Sequence, residues 1–166
     1  MKNTKDITRT ALMVTVAVLL GYVESLFPPI VPLPGIKLGL ANAVVILLLY
    51  TGSAEKTWMV VLLKVVLCSA LFGTATSFIY SISGGIVSLV IMMAAKRLNV
   101  FSIIGVSSLG GIFHNVAQLI CAYLIIGKGA LFHLPVLCVA GALCGMLTAV
   151  AAKILIEKGG KLFEQK

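Results

Sequence analysis

Hydrophobic residues run along this chain in long blocks, separated by short clusters of Gly, Pro, Ser and charged residues. Reading the blocks between breaks predicts six helices, over residues 7–27, 38–51, 57–72, 78–95, 103–126 and 131–156. A hydrocarbon core about 30 Å thick needs roughly 20 apolar residues in a helix rising 1.5 Å per residue. The first, fifth and sixth blocks are long enough to cross with tilt, while the second and third are short. The strongest break lies between the first two, where residues 28–42 hold four prolines and two glycines. That composition excludes a continuous helix. Irregular backbone at membrane depth is tolerated only against protein or beside a cavity. The segment containing Pro28, Pro32, Pro34 and Gly35 is therefore a candidate ligand gate.

Composition agrees with the blocks. Of 166 residues, 60% are hydrophobic and 11% charged, against about 25% charged in soluble domains. The apolar runs are too many for a signal peptide followed by a soluble body. The expectation is an all-α integral membrane protein, with six transmembrane helices in a single domain over residues 1–166.

The net charge of +8 could point to nucleic acid, but its placement argues against that. Six spans put both termini on one side, together with Lys2, Lys5, Arg9, Lys56, Lys96, Arg97, Lys153, Lys158, Lys161 and Lys166. Lys37 and Lys128 fall on the other side, and Lys64 falls inside the third helix. Cytoplasmic loops collect Lys and Arg, so both termini are expected in the cytoplasm. The charge is a topology signal, aided by anionic membrane lipid, and implies no nucleic-acid partner.

Ionisable and amide side chains inside spans are the candidates for function, since each costs free energy to insert. Lys64 is either a lysine that snorkels to the cytoplasmic headgroups or a contact to ligand or a polar partner. In the fifth helix, His114, Asn115 and Gln118 follow Gly110-Gly111, at spacings of three and four that share a face. The glycines permit close approach of another backbone or a flat ligand. In the fourth helix, Ser77, Ser81, Gly84, Gly85 and Ser88 form a small-residue stripe suited to helix packing, which could also border a pocket. Glu24 stands just before the prolines, either exposed to water, pairing with Lys37 to close the gate, or meeting a ligand cation. Lys37 and Asn42 flank the start of the second helix, whose first N–H groups would suit an anionic or carbonyl group.

The remaining inventory excludes much. The carboxylates are Asp6, Glu24, Glu55, Glu157 and Glu164, with no cluster able to hold magnesium for diphosphate chemistry. There is no P-loop, zinc motif, Ser-His-Asp set or dinucleotide fingerprint. The chain is expected to be no enzyme and to need no cofactor or metal. Cys68, Cys121, Cys138 and Cys144 lie in apolar blocks and read as small buried hydrophobes.

Several motifs together resemble one family. They are Pro34-Gly35-Ile36-Lys37-Leu38-Gly39-Leu40-Ala41-Asn42, Lys64, Ser83-Gly84-Gly85 with Met92, and Gly110-Gly111-Ile112-Phe113-His114-Asn115-Val116-Ala117-Gln118. The pattern is similar to the Gx transporter family, also labelled heptaprenyl diphosphate synthase component I. That family is similar in turn to the substrate-binding S components of energy-coupling factor (ECF) transporters. The resemblance implies a six-helix bundle in the prokaryotic plasma membrane that captures a vitamin or related micronutrient. It implies a gating loop over residues 27–41, and a partner module of a transmembrane coupling protein and two ATPases. S components commonly dock through an Ala-x-x-x-Ala surface on the first helix. Here the nearest equivalents are Ala11 with Thr15 and Ala17 with Gly21, neither the full motif. The ligand contacts expected are Lys37, Asn42, Lys64, His114, Asn115 and Gln118. An anchor subunit in isoprenoid-quinone or electron-transfer metabolism is the alternative. A synthase of the known all-helical kind would need aspartate-rich motifs, and this chain has one aspartate, Asp6.

Overall fold

A computed structural model describes residues 4–27, 37 and 39–163 of the chain. Among the described residues there are six α-helices and one 3₁₀ segment. In chain order they are α1 (Thr4–Ser25), α2 (Asn42–Thr51), α3 (Ala54–Phe72), α4 (Ala75–Arg97), α5 (Ile103–Ile126), the 3₁₀ turn Lys128–His133, and α6 (Leu134–Phe163). The gate residues Pro28, Pro32, Pro34 and Gly35 lie outside the described residues.

The helices α3 and α4 start before the sequence expectation because polar capping residues precede their apolar blocks, while α5 starts at Ile103 as expected. Ser53 caps α3 by accepting Lys56 N–H, and Ser102 caps α5 by accepting Gly105 N–H. Thr74 and Ser77 form a reciprocal capping box at α4. These side chains satisfy N–H groups that have no partner within the helix. The second helix starts later than expected, at Asn42, because Gly39 adopts a φ of +88°, a turn and not a helical conformation.

Four helical segments among the described residues are long and apolar enough to cross a membrane: Thr4–Ser25, Ala75–Arg97, Ile103–Ile126 and Lys128–Lys158. The chain is thus a multi-pass membrane protein by length and composition. At 10 residues, α2 spans only about 15 Å. It is nonetheless the most enclosed helix, with Val44 to Leu49 all buried. That burial explains why its sequence is apolar all round.

The helices alternate in direction. Lys56 at the start of α3 pairs with Asp6 at the start of α1 at 3.0 Å. At the same end, Lys96 near the finish of α4 donates to the carbonyl of Leu49 near the finish of α2 and lies over the Tyr50 ring. One apolar core joins Ile46, Val61, Leu89, Met92, Val106 and Ala152, and another at the opposite end joins Tyr80, Leu119 and Leu137.

Glycines set how tightly α5 meets its neighbours. A Cβ on Gly111 would collide with the Gly141 carbonyl of α6, and one on Gly145 with the Ser107 carbonyl. On the other side, a Cβ on Gly110 would meet Met92 of α4 at 2.5 Å. The Gly110-Gly111 pair therefore admits neighbouring helices, the backbone alternative of the two it offered. This is the small-residue packing expected where lipid tails give no hydrophobic drive between helices.

Candidate functional site

The polar residues of α1, α3, α4 and α5 converge with the end of the gate segment on a small cavity of about 30 Å³. Glu24, Lys37, Lys64, Cys68, Ser81 and His114 contribute to its wall. A space of this size is on the scale of solvent and too small for an organic ligand.

Two side chains fasten the backbone at Lys37 and Gly39. Gln118 Oε1 accepts Lys37 N–H at 3.0 Å, and Glu24 Oε1 accepts Gly39 N–H at 2.6 Å. A carboxylate acceptor makes the second bond the stronger kind. Glu24 thus engages the backbone at Gly39 and not the Lys37 side chain. The ion pair expected with Lys37 does not form among the described residues. The Lys37 ammonium instead lies 5.6 Å from the centroid of the Phe72 ring, a cation–π contact. Tyr22 packs edge-on against that ring.

Behind Gln118 stands His114, one turn earlier on α5. Gln118 Nε2 lies 2.7 Å from His114 Nε2. The oxygen of Gln118 faces an N–H, so its NH₂ group must donate to the imidazole. His114 Nε2 is therefore the acceptor and the ring is neutral, with its proton on Nδ1. Nδ1 is turned toward Gly84 of α4 without a well-aligned hydrogen bond. A Cβ at Gly84 would lie 2.8 Å from that nitrogen, so only glycine leaves room for the ring. His114 and Gln118 thus connect α5 to the backbone at Lys37.

Lys64 is buried and donates to Asn42 Oδ1 at 3.2 Å. The snorkelling alternative is thereby overturned: the ammonium turns toward α2 and the cavity, away from the helix ends. Asn42 is itself 7% exposed and sits beside Gly39, where an added Cβ would lie 2.8 Å from its Nδ2. The first N–H groups of α2 are not open to a ligand, contrary to expectation. Those of Asn42, Ala43 and Val44 bond to the carbonyls of Gly39, Leu40 and Ala41 in tight i→i+3 turns.

Of the six expected contacts, Lys37, Lys64 and His114 line the cavity; Asn42 holds Lys64, and Gln118 holds His114 and the Lys37 backbone. Asn115 points elsewhere, donating to the Leu137 carbonyl of α6 at 2.8 Å. Adjacent helix positions differ by about 100°, so His114 and Asn115 cannot both face the cavity. Ser81 also lines the cavity, whereas Gly84, Gly85 and Ser88 serve helix packing. The sequence reading left out the gate's own backbone, whose N–H groups are the groups bound.

The first helix divides its two small-residue pairs. Ala11 and Thr15 are exposed, with the Thr15 hydroxyl bonded to the Ala11 carbonyl. Ala17 and Gly21 are buried, and a Cβ on Gly21 would lie 2.8 Å from Cys68 Sγ of α3. A wider groove of about 500 Å³ opens between α1 and α2, lined by Leu12, Met13, Val16, Leu20, Leu47 and Leu48. It is larger than the polar cavity but almost wholly apolar, with Arg9 and Lys56 at one end.

This arrangement of a glycine-turn gate, a buried lysine and a His-x-x-x-Gln pair falls within a family pattern matching residues 13–155, described as heptaprenyl diphosphate synthase component I. The chain belongs to the heptaprenyl diphosphate synthase component I family, the Gx transporter family. No curated protein and no solved structure matched the chain in the parallel comparisons. The family pattern spans every polar group around the cavity, from Glu24 to Gln118.

Proposed function

We propose that this Gx transporter family member is a membrane substrate-binding subunit. It resembles an S component and serves uptake of a small, largely apolar or aromatic micronutrient. The carrying observation is the fastening of the gate backbone at Lys37 and Gly39 by Gln118 and Glu24, over a polar cavity within an apolar bundle. A gate held by two hydrogen bonds opens at modest cost, about 0.5–1.5 kcal/mol for each neutral bond and more for the charged one. A ligand that supplies replacement contacts can shift that equilibrium. In this reading all six helices lie in the cell membrane with both termini cytoplasmic, as the basic residues favour. The gate then faces outward, and an ECF-type coupling protein with its ATPases energises release inward. The exposed Ala11–Thr15 face is the docking surface on α1. The chain itself carries out no catalysis.

Native mass spectrometry of the purified protein tests this reading. The expected result is a small molecule retained by the native chain and lost on Gln118→Leu. A chain that takes up no small molecule from cell extract, and whose partners include no ATPase, overturns it.

A second reading draws on the synthase wording of the family description. The chain would be an anchor that presents an isoprenoid along its apolar groove to a catalytic partner. Co-purification with a prenyl-chain enzyme, and not with ATPases, would favour it.

A further inference from the structure

The charges around the cavity do not balance. Two lysines, Lys37 and Lys64, and one carboxylate, Glu24, belong to its wall, and His114 is neutral by its hydrogen-bond partner. Among the described residues, neither lysine lies within the 4 Å of an ion pair from a carboxylate. Glu24 is engaged by Gly39 N–H, and Lys37 rests against Phe72.

Lys64 is the more telling of the two. An ammonium has three N–H donors, and the hydrogen bond found for Lys64 is one, to the neutral Asn42 amide. The side chain is only 7% exposed. Glu24 in the same wall attracts both lysines but forms a close ion pair with neither, so one carboxylate is shared between two cations. A buried cation without a close anion is unfavourable, and such groups mark ligand or ion sites in membrane proteins. The donors left over belong to a residue that lines the cavity.

We propose that the substrate is an organic monoanion, a carboxylate carried on an apolar or aromatic body, with the carboxylate received by Lys64. This rests on the binding-subunit reading and narrows it. Receiving the carboxylate requires the cavity to widen, because its volume of about 30 Å³ is on the scale of solvent. The carboxylate supplies the negative charge that the wall lacks, with Lys37 as a second cation of the same wall. The apolar body lies toward Val65 of the wall and the Phe72 ring beside Lys37. Neutral analogues leave the buried ammonium uncompensated, and cationic ones add repulsion.

Thermal unfolding in detergent with matched probes tests the proposal. Benzoate, 2-naphthoate and indole-3-acetate are compared with their amides and with the corresponding arylmethyl and arylethyl amines, at equal millimolar concentrations. At least one carboxylate is expected to raise Tm by on the order of 3 °C, with its amide and amine giving no rise. Lys64→Met should abolish that difference. Lys64→Met is expected to fold, since exchanging a buried unpaired charge for an apolar chain of similar length removes a desolvation cost. Should it fail to give a monodisperse protein, Lys37→Gln provides the second variant and should reduce the shift at least twofold.

If amides or amines stabilise the protein and carboxylates do not, the anion proposal is overturned while the binding-subunit reading stands. Equal stabilisation by carboxylate and amide overturns it likewise, as does carboxylate selectivity that survives both substitutions. If no probe stabilises the protein, the anion proposal fails. The binding-subunit reading fails with it only when native mass spectrometry also finds no retained small molecule.

Discussion

Gln118 and Lys37 lie 81 positions apart, yet the side-chain oxygen of one accepts the backbone N–H of the other at 3.0 Å. The bond ties the gate segment to the middle of α5, and His114 holds the Gln118 amide in the orientation that makes it possible. Replacing Gln118 by Leu removes the acceptor and leaves the Lys37 N–H without a partner, a loss of about 1–3 kcal/mol. The expected outcome is a gate that opens more often. Amide exchange at Lys37 and Gly39 should rise, and trypsin should cut after Lys37 faster than in the native chain. Exchange unchanged at both amides would show that the bond does not hold the gate.

Glu24 offers an independent handle on the same segment. Glu24→Gln keeps an oxygen for Gly39 N–H but loses the charge, whereas Glu24→Ala removes the acceptor altogether. Charge-assisted bonds are roughly twice as strong as neutral ones, so exchange at Gly39 should increase from native to Gln to Ala. Were Glu24 tied to the Lys37 ammonium and not to the backbone, Lys37→Gln would raise Gly39 exchange as much as Glu24→Gln does. The geometry predicts a smaller effect.

The sequence made much of this legible, for identifiable reasons. Apolar blocks marked all six helices, because a membrane helix must satisfy its own backbone and show lipid an apolar surface. Lys64, His114 and Gln118 stood out because polar groups are costly in that setting. The fastening of the gate was hidden because it joins side chains to backbone N–H groups, which every residue but proline carries. Glu24 gave no sign of its choice of Gly39 over Lys37 for the same reason. Asn115 shares a spacing of three with Gln118 but turns to α6, a distinction that depends on which neighbour each arc of the helix meets. Helix starts were missed where Ser53 and Thr74 cap from outside the apolar blocks.

Close contact between α5 and α6 yields a stability prediction. Gly111 and Gly141 touch through backbone, and a methyl group on Gly111 would overlap the Gly141 carbonyl. Backbone cannot rotate away as a side chain can, so the helices must separate. Gly111→Ala should cost about 3 kcal/mol, the upper part of the usual overpacking range. Gly129→Ala is the matching control, since nothing lies within 4 Å of its added Cβ. Detergent unfolding should show a clear loss of Tm for the first and no more than a small change for the second.

Asn42 and Lys64 should be strongly coupled, and a double-mutant cycle can measure the coupling. Asn42→Leu removes the carbonyl that accepts from the buried ammonium, at a cost of about 3–5 kcal/mol if the charge stays in place. Lys64→Met removes the charge and leaves a neutral amide one partner short, a loss of about 1–3 kcal/mol at most. In the double variant neither polar group remains, and leucine and methionine can pack against each other across the α2–α3 contact. Its stability should therefore exceed the sum of the single effects by at least about 2 kcal/mol. Additive losses would mean that the two residues act separately. The Asn42 amide would then serve the turn at Gly39 alone, and the lysine would have some other means of being tolerated inside the bundle.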